Sequence, residues 1–125
     1  MERGQRERMP KRRRSETHEI RFHPPKRSSF KVYFGFGFFA DGRLGEVWLT
    51  THKPGSDVRT MYESWARTAS AAVQHGLPVK ALAAVLRGIH DDNAGTIAVE
   101  TVSALDGADV LSVWDALGMF LEMFA

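Results

Sequence analysis

The residues best suited to chemistry lie in "THKPGSDVR", residues 51–59. Lys53, Gly55, Ser56, Asp57 and Arg59 bring together two cations, an adaptable backbone, a hydroxyl and a carboxylate. A strand-like run ends before them and a helix-like run begins after. The first N–H groups of a helix have no intrahelical acceptor, so such a junction can hold an anion such as a phosphate. The same residues can form a plain cap instead. Ser56 or Asp57 would then accept from the first-turn N–H groups, and Asp57 would place negative charge where the helix dipole favours it. A phosphate would be left with Lys53, Arg59 and the remaining N–H groups. No G-K-[ST] sequence is present, so this is not a P-loop. The stretch is expected to act as the hinge that turns a hairpin into a helix, with anion binding as its alternative role.

Other constellations carry less. Lys11, Arg12, Arg13 and Arg14 form the densest basic block. It could contact phosphate backbones or another polyanion, or simply be a solvated tail, since no aromatic residue interleaves it. "HDDN", His90 to Asn93, offers an imidazole and two carboxylates, but no spacing ties it to His52 or His75 as a metal site. "GFGFFA", Gly35 to Ala40, matches the letters of a dinucleotide fingerprint but sits inside an alternating strand rather than at a strand-to-helix turn. No G-x-S-x-G elbow is present. An enzyme reading would need a perturbed pair of ionisable groups, for example around Lys53, Asp57 and His90. No catalytic residue, metal or cofactor is expected.

The totals set the frame. The chain has 125 residues and no cysteine, which removes disulfides, thiolate zinc sites and thiyl or thiolate chemistry. No apolar run is long enough to span a membrane, and no apolar region of a secretory signal follows the charged N-terminus. A cytoplasmic chain is expected. Residues 1–31 hold 11 Lys/Arg against 4 Asp/Glu, while residues 32–125 hold 6 against 11, so a net +7 leader precedes a net −5 domain.

Residues 1–28 are poor in apolar side chains and broken by Pro10, Pro24 and Pro25. They read as a largely disordered basic leader, with a folded domain over 29–125. Val32, Phe34, Phe36 and Phe38 alternate with Tyr33, Gly35, Gly37 and Phe39, and Val47 and Leu49 alternate with Trp48 and Thr50. With Asp41-Gly42 as the turn, this predicts a β-hairpin. Gly35 and Gly37 share a face and leave a shallow strip against which a helix could pack. Steps of three and four predict helices over 56–75, 78–87 and 109–124, with Asp109 as N-cap of the last. "GTIAVETV" is a candidate for one short extra strand. The fold expected is α+β: a two- or three-stranded antiparallel sheet with three helices on one face.

The order of these features resembles the TSCPD domain, found at the C-terminal end of adenosylcobalamin-dependent (class II) ribonucleotide reductases and as detached short proteins. The segments that carry the likeness are "KVY…GF…DGRLGEVW", "KPGSD", "QHGLPVKALAAVLRG" and "SVWDALGMFLE", covering about residues 30–124. One departure stands out. Where the family has Thr-Ser-Cys-Pro-Asp, this chain has Leu111, Ser112, Val113, Trp114 and Asp115. The zinc-binding cysteines often associated with the reductase C-terminus are absent too. The resemblance implies a link to deoxyribonucleotide synthesis without catalysis by these residues themselves, hence an accessory or regulatory module with a reductase or another protein as partner. The rival reading is a nucleic-acid-associated adaptor acting through Lys11–Arg14. Nucleotide contact and a homo-oligomer are left open; a membrane partner is not expected.

Overall fold

The computed structural model describes residues 5–51 and 57–125. Five strands form one sheet in the spatial order β3-β2-β1-β4-β5. They are β1 (Ser15–His23), β2 (Phe30–Phe38), β3 (Leu44–Thr50), β4 (Gly95–Ala98) and β5 (Asp109–Val110), and every neighbouring pair is antiparallel. Among the described residues three α-helices accompany them: α1 (Asp57–Gln74), α2 (Val79–Leu86) and α3 (Val113–Glu122). The α+β expectation holds, with more strands than the hairpin alone provides.

The largest departure is β1. It lies within the stretch read as a disordered leader, yet it is the central strand, paired with β2 from Ser15↔Gly37 to Phe22↔Phe30 and with β4 through Arg21↔Ala98, Phe22↔Ile97 and His23↔Thr96. The reason is visible in its pattern. His18, Ile20 and Phe22 are buried while Thr17, Glu19, Arg21 and His23 are exposed. That is a strand with one wet face. Charged outward positions hid the inward set of three.

The hairpin forms as expected. Gly42 takes φ +91° in the turn, and the Asp41 side chain accepts from the Arg43 N–H. The register slips by one between Gly37 and Phe38, a bulge at the hairpin end. The glycine strip is filled differently from expectation. Gly35 faces Trp48 and Gly37 faces Glu46 across the ladder. A Cβ on Gly35 would lie 1.8 Å from the Trp48 indole, so the cross-strand tryptophan, not a helix, occupies that space.

The opposite sheet face carries Ile20, Phe22, Val32, Phe34, Phe36, Val47, Leu49 and Ile97, all buried. α3 covers it. The Phe120 ring lies 5.3 Å from that of Phe34 and 6.1 Å from that of Phe36. Each fully buried phenylalanine contributes about 1.5–3 kcal/mol. α2 packs on α3, where Gly118 lets the Ala83 carbonyl and the Arg87 side chain approach closely. α1 does not stack with them on the face. It runs beside the free edge of β3. Ser70 Oγ accepts from the Val47 N–H (2.9 Å) and donates to the Val47 carbonyl (3.0 Å), and Gln74 Nε2 donates to the Gly45 carbonyl (2.8 Å). Tyr62 and Trp65 of α1 reach back to Trp114 of α3. Gly76, at φ +107°, ends α1 with the Leu77 N–H on the Ala72 carbonyl and the Gly76 N–H on the Val73 carbonyl, a Schellman closure.

Replacing Gly35 with alanine should therefore cost about 1–3 kcal/mol in urea unfolding, through overpacking against Trp48. The same change in a Trp48→Ala background should cost clearly less; equal costs in both backgrounds would show that the indole does not set the requirement.

Candidate functional site

The predicted anion junction falls at the border of the described residues. Lys53, Gly55 and Ser56 lie outside them, as does His52. Asp57 is exposed in the first turn of α1, where its charge suits the dipole. Arg59 pairs with Glu63 one turn on, at 3.6 Å. His90 is exposed in the α2–β4 connection, where Asp91 accepts from the Asn93 N–H at 2.8 Å. Among the described residues, no group of three or more His, Cys, Asp or Glu is arranged to hold a metal ion.

The basic block divides. All four residues are exposed, and Lys11 and Arg12 have no polar partner among the described residues. Arg13 grips both Glu46 carboxylate oxygens at 3.1 Å and the Pro10 carbonyl at 2.7 Å. Arg14 places its guanidinium 4.3 Å from the Phe38 ring centre, while its carbonyl accepts from the Phe38 N–H. Upstream, the Glu7 N–H donates to the Gln74 carbonyl and Arg6 Nε donates to Gln74 Oε1 at 2.5 Å. Arg43 bridges Glu7 (2.6 Å) and Asp41 (2.7 Å). Its guanidinium holds the Asp41 carboxyl below the usual carboxylate range, and both carboxylates raise the Arg43 pKa in turn. Residues 6–14 thus lie as a strap from the end of α1 to the end of β2.

Sequence reasoning missed a buried polar site at the start of α3. Asp109 does not cap this helix; it pairs with Thr96 in β5. Ser112 is the N-cap, and its Oγ accepts from the Asp115 N–H (3.0 Å) while donating to the Ile89 carbonyl (2.6 Å). The buried Asp115 carboxylate accepts from the Leu111 N–H and the Gly88 N–H, each at 2.9 Å, with Arg87 Nη1 at 3.5 Å. One serine and one aspartate therefore tie the end of α2 to the start of α3. The S-x-x-D spacing was the signal, a variant of the capping box in which the acid reaches one residue further back. Between them, Val113 is buried in the core and the Trp114 ring meets Tyr62 at 5.5 Å and Trp65 at 5.2 Å. Burial, and then the negative charge of Asp91, push the Tyr62 phenol up to about 12.

A buried histidine was also unforeseen. His18 packs its ring against Phe36 and Phe120 and shares a 2.6 Å hydrogen bond between Nδ1 and Thr101 Oγ1. Its Nε2 lies 3.4 Å from Glu16 Oε1 without hydrogen-bond geometry.

A family model described as the TSCPD domain matches residues 4–125, and so includes β1. The vitamin B12-dependent ribonucleotide reductase of Agrobacterium fabrum is 34% identical over 76 residues, which is 61% of this chain and 6% of the reductase. That of Bradyrhizobium diazoefficiens is 35% identical over 75 residues, 60% of this chain and 6% of the relative. That of Rhodopirellula baltica is 32% identical over 77 residues, 62% and 7% respectively. The chain thus spans only 6–7% of the length of these curated relatives. No solved structure matches.

Two measurements check the α2–α3 junction. Asp115→Ala strands two N–H groups and should cost about 2–3 kcal/mol in urea unfolding, whereas Asp115→Asn, which keeps an acceptor, should cost less. Tyr62 titrates from an ordinary value of 10.0 when unfolded to about 12 when folded. The unfolded chain therefore loses this proton first, so the Tyr62 contribution is complete below pH 10 and disappears as pH rises towards 12. Stability measured across that window should fall more steeply for the parent than for Tyr62→Phe.

Proposed function

We infer, because this chain belongs to the TSCPD domain family, that it acts as an accessory binding module of a vitamin B12-dependent ribonucleotide reductase and performs no catalysis with its own residues. The observation that supports this most is the α3 junction. The two signature residues that remain, Ser112 and Asp115, are both consumed in holding α2 against α3. At the cysteine position stands Val113, sealed in the core, and at the proline position Trp114, packed on Tyr62 and Trp65. The scaffold is kept, and nothing in this segment offers a nucleophile or a redox group. A role in deoxyribonucleotide supply then comes through the partner.

The rival adaptor reading loses part of its footing, because Arg13 and Arg14 are engaged within the fold and only Lys11 and Arg12 of that block extend freely.

Size-exclusion chromatography of the purified chain with the vitamin B12-dependent reductase of the same cell tests the module reading. A shared peak, together with a change in reductase turnover on adding the chain, is expected. Separate peaks with unchanged turnover would overturn it.

A further inference from the structure

A trough runs along the outer face of β3, where α1 and the N-terminal strap converge. It consists of two adjoining hollows of about 610 and 820 Å³ that share Arg6, Glu46 and Gln74. Trp48 lines it. Because Gly35 has no Cβ, the indole settles over bare backbone on one side and remains half-buried, and no other aromatic ring among the described residues contacts it.

The rim is cationic. Arg6, Arg8 and Arg13 come from the strap and Arg67 from α1. Arg8 and Arg67 have no ionic partner among the described residues. Two carboxylates also line the trough, and each has an arginine of its own. Glu46 is held by Arg13 through both oxygens, and Glu63 pairs with Arg59. Arg8 and Arg67 therefore line the trough with their charge uncancelled, Arg67 in the same hollow as Trp48 and Arg8 in the adjoining one.

A half-exposed indole in a trough that also carries unpaired guanidinium groups matches one kind of ligand. A nucleobase stacks on the indole, and phosphate oxygens take the guanidinium N–H groups. We propose that this trough binds nucleotide phosphates, with a base on Trp48 and phosphates on Arg6, Arg8 and Arg67. A free nucleotide and a single-stranded nucleic acid share that chemistry. The site does not depend on the accessory role above: it uses neither the α3 junction nor a reductase surface, and it can stand or fall alone.

Calorimetric titration of the full chain with two probes tests it: thymidine triphosphate, and an oligothymidylate of about ten nucleotides. Binding of at least one probe is expected, weakening as salt is raised. Stronger binding of the oligonucleotide would identify a nucleic-acid strand as the ligand, and equal or stronger binding of the triphosphate a free nucleotide. Trp48→Leu fills the space over Gly35 but offers no stacking surface, and should weaken binding about tenfold. Arg67→Glu changes an exposed position on α1 that makes no hydrogen bond or ion pair among the described residues, and should weaken it at least as much. Far-ultraviolet circular dichroism confirms that each variant is folded. The proposal is overturned if neither probe binds at low salt. It is also overturned if Arg67→Glu binds as tightly as the parent while replacing Lys11 and Arg12 by alanine abolishes binding, since the exposed basic residues alone would then be responsible.

Discussion

The two ladders of β1 hold the sheet together. Strand β2 hangs on one side of it and β4 on the other, so the N-terminal hairpin and the later, shorter strands become one surface only through this segment. A two-stranded hairpin is marginal in water, and β4–β5 offers a ladder of very few residues. With β1 in place, Ile20 and Phe22 join Phe34, Phe36 and Ile97 in one continuous apolar face. α3 can then seat Phe120 against it. Remove the ladder and the helix has half a face to cover.

The helical layer obeys a polar constraint instead. α2 ends near the point where α3 begins, so N–H groups at Gly88 and Leu111 are brought together close to the core. Asp115 satisfies both, and Ser112 satisfies the Ile89 carbonyl and the first turn of α3. Ser112 and Asp115, which match the resembled Thr-Ser-Cys-Pro-Asp stretch, are thus both used by the fold of this chain. The hydrogen bonds belong to the fold, and Val113 and Trp114 fill space that a valine and an indole can fill.

The sequence announced its long, evenly patterned elements. The β2–β3 hairpin with its Gly42 turn and the presence of all three α-helices could be read from period and turn chemistry. β1 escaped because its three inward side chains, one of them a histidine, are set among Glu16, Glu19 and Arg21, and net charge outweighed a short period-two signal. The position of α1 escaped for another reason: nothing in a helical period tells whether its apolar stripe covers a face or an edge. The placement of Ser70 and Gln74 decides that, and only once β3 is known to be the outermost strand. As for the candidate sites, the basic block was visible as charge, but its partition into partnered Arg13 and Arg14 and unpartnered Lys11 and Arg12 depends on Glu46 and Phe38, far away in sequence. Most of the "KPGSD" junction lies outside the described residues, so its role rests on Asp57 and Arg59 alone.

The covering of β3 by α1 has a consequence for how copies of this chain meet. The outer edge of β3 carries the row of amides that another strand would seek, and edge-to-edge addition is the route by which sheets grow into aggregates. Here a serine hydroxyl and a glutamine amide stand in for that strand at Val47 and Gly45. Tyr62 and Trp65 fasten the helix to Trp114, and Ala66 and Ala69 are buried beside β3. The helix thus also serves to block self-association, since its departure would present the β3 edge as a template for another strand.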